Sequence, residues 1–151
     1  MSNFHKDLET GAEFESRLCA MIQKRYPTAT RIPSAFAEYD IYIAETNKKI
    51  ECKYDKKAST TNNIFIELKS NDNQSGILKS KADYYYIDTG TKLYCIPLIK
   101  LFECVIFENI KPTKHNVSQG SYEMEMTGCI IPVETFAKYC IQIQPTLMKL
   151  N

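Results

Sequence analysis

Residues 40 to 53, Asp-Ile-Tyr-Ile-Ala-Glu-Thr-Asn-Lys-Lys-Ile-Glu-Cys-Lys, restrict the fold more than any other stretch of the chain. Two runs of alternating character, Asp40 to Ala44 and Lys49 to Lys53, flank the polar Glu45-Thr46-Asn47-Lys48, a pattern that predicts a strand, a tight turn and a second strand. Side chains alternate across a strand, so Glu51 and Lys53 share one face, Ile50 and Cys52 take the other, and Asp40 opens the neighbouring strand opposite in sense to Ile41 and Ile43. Two carboxylates and an ammonium can therefore converge. The plain reading is an exposed hairpin face with a surface salt bridge; the rest of the chain decides between that and a site.

The 151 residues are enough for one domain with a real core, and 44% hydrophobic with 25% charged residues is the composition of a globular protein. We expect a single domain over 1–151, with a core at about 10–96 and a C-terminal extension at 97–151. No run is long and apolar enough to span a bilayer, and Met1 to Asp7 lack an apolar signal core, so the expectation is a cytoplasmic protein with no membrane partner. Six cysteines stand singly in apolar stretches with only His5 and His115 for company, a spacing that predicts reduced core residues rather than a zinc site or a disulfide framework. The net charge of +1 hides a gradient: residues 46 to 92 hold nine lysines against six acids. Lys53, Lys56, Lys57, Lys69, Lys79 and Lys81 make a surface suited to a polyanion, or a solvated lysine face.

Thr10-Gly-Ala-Glu13 reads as a capping box, with Thr10 capping the first turn and Glu13 reaching back, so a helix is expected from there to about Tyr26, before Pro27. Its apolar positions are Phe14, Leu18, Met21 and Ile22. At about 100° per residue Glu15 falls within roughly 20° of Ile22, whereas Glu13 points away and is a candidate partner for Arg17. A carboxylate on a core face costs free energy unless paired or ligated, which makes Glu15 a candidate site residue. Residues 27 to 38 read as an irregular connection. Ile64-Phe-Ile-Glu-Leu68 is a third strand with Phe65 and Glu67 on one face, adding one more carboxylate, or a partner for a lysine of a neighbouring strand. Ser75-Gly76 leads into a helical turn at Ile77 to Ala82 bearing Lys79 and Lys81, an arrangement that can offer backbone donors and ammonium groups to a phosphate. Asp83 to Asp88 and Lys92 to Ile96 form a strand, turn and strand whose tyrosines suit packing, with stacking on bases as the alternative. A helix is expected from Pro97 to Asn109, a loop with one edge strand over 110 to 126, a strand at Thr127 to Ile131 and a helix at Pro132 to Cys140.

This order is a mixed α/β pattern, and its charged groups gather on the front half. Acidic residues beside a lysine-rich surface suit a magnesium-dependent phosphodiesterase, because Mg²⁺ takes a few carboxylates plus waters and substrate oxygens. Asp40, the Glu51-Cys52-Lys53 element and Gly11-x-x-Phe-Glu15-x-x-Leu18 on the first helix resemble the PD-(D/E)XK nuclease superfamily, in its Holliday junction resolvase-like and phage-type branches. Tyr39 stands where that family usually has proline. Ile64-Phe-Ile-Glu67 and Ser75-Gly-Ile-x-x-x-Lys-Ala-Asp-Tyr-Tyr85 are similar to phage-type members, and the likeness spans roughly residues 10 to 96.

The resemblance implies a restriction-endonuclease-like core of helix, three-stranded antiparallel meander, helix and further strands, here with a C-terminal strand and helix extension. It also implies a DNA endonuclease that resolves junctions or acts as a homing or phage-type nuclease on branched or double-stranded DNA, as a homodimer or higher homo-oligomer. Asp40 and Glu51, with the carbonyl of Cys52, would ligate Mg²⁺, for which Mn²⁺ can substitute. Glu15 would bind it directly or through water, Lys53 would orient the attacking water, and Glu67 is a possible addition. Lys56, Lys57, Ser75, Gly76, Lys79 and Lys81 would contact DNA. The rival from another class is a non-catalytic nucleic-acid-binding protein that keeps the nuclease fold.

Overall fold

The computed structural model describes residues 3–33, 38–119 and 122–148. In chain order its elements are α1 (Asn3–Gln23), β1 (Thr30–Arg31), β2 (Ile41–Ile43), β3 (Lys48–Tyr54), α2 (Ala58–Thr61), β4 (Asn63–Ser70), β5 (Asn73–Gln74), a 3-10 turn (Gly76–Leu78), β6 (Tyr84–Asp88), β7 (Lys92–Pro97), α3 (Leu98–Phe107), β8 (Thr113–Gln119), β9 (Tyr122–Pro132), α4 (Val133–Ala137) and β10 (Gln142–Pro145). They form a mixed α/β fold with two sheets.

Helix α1 buries Phe14, Leu18, Cys19 and Ile22 along one side, the periodic face expected of it. It begins well before the capping box, so Thr10 is interior to the helix; its hydroxyl donates to the Lys6 carbonyl one turn back at 2.8 Å. Back-bonding to i−4 satisfies a helix-interior threonine as well as a cap would, and this overturns the expected start. Glu13 does pair with Arg17, at 2.8 Å across one turn.

The first sheet runs β1-β2-β3-β6-β7-β10, and its neighbours are antiparallel except for β3 and β6. The turn between β2 and β3 places Asn47 at a positive φ of 53°, a conformation asparagine tolerates, and sets Ile41 opposite Ile50. The strand at Ile64 to Leu68 exists but is not the third strand of a meander with these two. The far edge of β3 is taken by β6 in parallel register, so the chain between them crosses over, and β4 joins a second sheet of order β5-β4-β9-β8. Instead β1, within the stretch expected to be irregular, completes an antiparallel trio with β2 and β3; the part of that stretch at 34–37 lies outside the described residues. The expected helical turn at Ile77 to Ala82 is a single 3-10 turn at Gly76–Leu78.

Two cores result. Helix α1 packs on one face of the first sheet through Phe14, Leu18, Ile41, Ile50 and Leu93. On the other face, Ile87 and Ile96 meet Ile64, Ile66 and Ile131 of the second sheet, with Leu101 of α3 and Phe136 of α4. Residues after 97 supply strands to both sheets: β9 pairs with β4, and β10 pairs with β7. The stretch at 110 to 126, expected as a loop with one edge strand, is largely a hairpin, with β8 opposite β9 from Thr113↔Gly128 to Gln119↔Tyr122. The helix expected over 132 to 140 is short, and β10 follows it.

Asp88 ties these parts together. Fully buried at the end of β6, it accepts hydrogen bonds from the Gly90 amide at 2.8 Å, the Leu147 amide at 2.9 Å and the Thr146 hydroxyl at 2.6 Å. Replacing it with alanine strands these donors, and urea unfolding is expected to show a loss of about 2–4 kcal/mol. A variant as stable as the parent would contradict this role.

Candidate active site

Strand β3 outlasts β2. The last ladder pair is Ile41 with Ile50, and the Asp40 amide still donates to the Ile50 carbonyl at 2.8 Å. Beyond that point the chain before β2 diverges, and the edge of β3 at Cys52 would be unpaired. The Asp40 carboxylate closes it, accepting the Cys52 amide at 2.7 Å. In an extended strand the N–H and C=O of one residue point to the same edge, so the Cys52 carbonyl faces this same gap.

Alternation then aims the neighbours. Ile50, Cys52 and Tyr54 pack toward α1, whereas Glu51 and Lys53 point toward the second sheet, beside their β6 partners Tyr85 and Ile87. They open onto a cleft of about 310 Å³ that is also lined by Phe65, Glu67, Tyr85 and Met126. Glu51, Lys53 and Glu67 thus share a cleft, as the face pattern of the sequence anticipates, and Asp40 is tied to it through the amide of Cys52, one of its lining residues.

The electrostatics follow from burial. Desolvation lifts Asp40 from 3.8 to about 6; the Cys52 amide opposes the rise and the Glu15 charge adds to it. Glu51 is lifted further, from 4.5 to about 8, first by burial and then by the negative charges of Asp40, Glu15 and Glu67. Burial pushes the Lys53 ammonium down, against the pull of Asp55 and Glu67. Buried carboxylates that repel one another favour protons or a cation.

Glu15 sits on α1, in the layer across the first sheet from the cleft. Its carboxylate meets the Arg31 guanidinium at 2.8 Å, so it reaches Asp40 and Glu51 through its field. Arg31 escaped the sequence reading because it lies in the irregular connection and its partner is sixteen residues away. Asp55 also escaped. Its side chain, only 10% exposed, lies 3.9 Å from the Lys53 ammonium and accepts the Phe65 amide at 3.1 Å, linking the two sheets at the cleft. Its signal was an aspartate directly after a strand and three residues before Ala58, whose amide it also accepts at 3.3 Å. Lys53 lies over the Phe65 ring at 5.2 Å, a further hold on its position.

Among the described residues no group of three or more His, Cys, Asp or Glu side chains is spaced to hold a metal ion. The oxygens nearest the gap are the Asp40 carboxylate and the Cys52 carbonyl, with the Glu51 carboxylate in the adjoining cleft, all hard oxygens. That set fits Mg²⁺, which takes one or two carboxylates and keeps waters and substrate oxygens for the rest of its shell.

The predicted DNA contacts divide. Lys56, Lys57, Lys79 and Lys81 are exposed, and the Lys81 amide meets the Glu38 carbonyl at 3.5 Å, beside the approach to Asp40. The Ser75 hydroxyl instead donates to Glu67 at 2.9 Å. Gly76, at φ +50°, lies so flat on the Glu67 backbone that a Cβ would collide with it. This pair shapes the cleft wall.

No family model, curated protein or solved structure matches this chain. No helix among the described residues is long and apolar enough to cross a membrane.

Proposed function

We propose that the chain is a Mg²⁺-dependent endonuclease of PD-(D/E)XK type that hydrolyses phosphodiester bonds in DNA. The observation that carries this reading is the gap beyond the end of β2, where Asp40 accepts the Cys52 amide while its charge acts on Glu51, which lines the adjoining cleft with Lys53. The first-sheet order, with β1, β2 and β3 antiparallel and β6 then parallel to β3, supports a restriction-endonuclease-like core.

Asp40, Glu51 and the Cys52 carbonyl would hold Mg²⁺, and Glu15, held by Arg31 on α1, would favour the cation through its charge. Mg²⁺ supplies charge neutralisation at the phosphate and a more acidic bound water. Lys53 directs its ammonium into the cleft, where it hydrogen-bonds the attacking water and a non-bridging phosphate oxygen and offsets the charge that builds as the water oxygen bonds to phosphorus and the ester oxygen departs. Asp55 and the Phe65 ring keep that ammonium in place. The exposed Lys56, Lys57, Lys79 and Lys81 steer the polyanion.

Supercoiled, linear, single-stranded and four-way-junction DNA, each incubated with the protein in Mg²⁺ or in EDTA, provide the test. Cleavage of at least one substrate in Mg²⁺ and of none in EDTA is expected. Binding without metal-dependent cleavage of any substrate would favour the non-catalytic binding protein.

A further inference from the structure

Beyond the core, the second sheet narrows to a two-stranded ribbon. Strand β4 pairs with β9 only as far as Met126, whereas β8 follows β9 to Tyr122. Residues directly opposite each other share a face, and every second residue along a strand returns to it. One face of β9 and β8 begins with the buried Cys129 and Ile131 and continues outward as Lys114, Asn116, Ser118, Glu123 and Glu125. The opposite face begins at the cleft and continues as Met126 opposite His115, Met124 opposite Val117, and Tyr122. Polarity therefore inverts along the ribbon. Where the core ends, the core-side face becomes polar and charged and the cleft-side face becomes apolar, with Tyr122 63% exposed.

This apolar face is continuous with the cleft. Met126 lines the cleft, and the His115 ring meets Phe65 edge-on at 5.5 Å. Phe65, whose ring lies so close over Gly128 that a Cβ there would collide with it, carries the Lys53 ammonium on its face. The surface thus runs unbroken from Lys53 to Tyr122. Its chemistry is wrong for a phosphate backbone: from Phe65 through His115, Met126, Val117 and Met124 to Tyr122 this face presents no lysine or arginine, and the ribbon's Lys114 lies on the other face, 3.7 Å from Glu125. Thioethers, an imidazole and a phenol are instead suited to the flat faces of bases. Base faces are hidden in an intact duplex and open in a single strand.

We propose that the β8–β9 ribbon is a base-stacking arm and that the substrate entering the cleft is a single-stranded DNA segment; the substrate assignment rests on the phosphodiesterase reading of the cleft. The phosphates would face Lys53 in the cleft and the exposed Lys56, Lys57, Lys79 and Lys81, while the bases following the scissile bond lie along Met126, Met124 and Tyr122.

The test is affinity in EDTA, where nothing is cut, for a fluorescent mixed-sequence DNA oligonucleotide and for the blunt duplex of the same sequence. The protein is expected to prefer the single strand. A Tyr122→Ala, Met124→Ala double variant should lose about tenfold or more on the single strand, with duplex affinity unchanged. Tyr122→Phe, which keeps the ring, should bind as the parent does. Preference for the duplex, or single-strand affinity unmoved by the double variant, overturns the arm even if Mg²⁺-dependent cleavage is seen. A double variant that alters only self-association, measured by sedimentation, assigns the face to a second copy and also overturns it. Ribbon-dependent single-strand binding with no cleavage of any DNA in Mg²⁺ supports the arm and removes the nuclease reading, so the two failures are distinct.

Discussion

Replacing Lys53 with alanine, or Asp40 with asparagine, is expected to lower Mg²⁺-dependent cleavage by about 10²–10³-fold or more while DNA affinity in EDTA stays within a few-fold of the parent. The two substitutions act on different parts of the same event. Lys53 brings a positive charge into a partly buried cleft, where it is worth far more than at the surface, and alanine removes both that charge and the donor to the attacking water. Asparagine at 40 keeps a carbonyl oxygen that can accept the Cys52 amide, so the gap beyond β2 stays closed and the fold is retained, but the anionic oxygen needed by a divalent ion is gone. Binding is spared because the lysines that meet the DNA backbone, Lys56, Lys57, Lys79 and Lys81, are elsewhere. Single-turnover cleavage rates beside fluorescence-polarisation affinities separate the two effects. A variant that cleaves at the parent rate contradicts the assigned role of its residue.

The second large effect is on stability. Folding lifts Glu51 from 4.5 to about 8 and Asp40 from 3.8 to about 6. Between those limits the folded protein holds protons that the unfolded chain has released, so the metal-free protein is expected to lose stability as pH rises, through about 3.8 to 6 for Asp40 and about 4.5 to 8 for Glu51, and to level off above. The total is on the order of a few kcal/mol. Glu51→Gln removes the larger share and should flatten the upper part of the profile. Mg²⁺ competes with those protons, so it should raise the melting temperature strongly near pH 8 and little near pH 5, where Glu51 is protonated. Thermal melts from pH 4 to 9, with Mg²⁺ and with EDTA, read both effects. A metal-free profile that rises across this range, or a Mg²⁺ shift equal at both ends, contradicts the coupled carboxylates.

What the sequence revealed and what it hid divide along physical lines. Alternation from Asp40 to Lys53 fixed the hairpin and the face shared by Glu51 and Lys53, because each strand has one side in a core and a one-residue slip would bury charge. Ile64, Ile66 and Leu68 marked β4 as a strand, but local pattern carries no information about which edge a strand joins. The parallel bond between β3 and β6, which sends β4 to the second sheet, is a long-range choice. The β8–β9 ribbon was legible only as one edge strand, for another reason: its apolar residues Met124, Met126 and Val117 lie away from the core, so the usual link between apolar alternation and burial fails there. Strand β10 is an edge of four residues, Gln-Ile-Gln-Pro, too short to signal. Thr10 misled because helix-interior and capping threonines look alike in sequence. Glu15 was read as facing inward; the pattern could not show that Arg31, from a different segment, would meet it.

Everything in the mechanism depends on a divalent ion held at the gap beyond β2. The most direct measurement is Mn²⁺ binding to the protein near pH 8 in the absence of nucleic acid, followed by the loss of the free-ion electron paramagnetic resonance signal. The parent should bind Mn²⁺ saturably, Mg²⁺ should displace it, and a variant combining Asp40→Asn with Glu51→Gln should fail to bind. A parent that leaves the Mn²⁺ signal unchanged, or a double variant that binds as the parent does, would contradict the account.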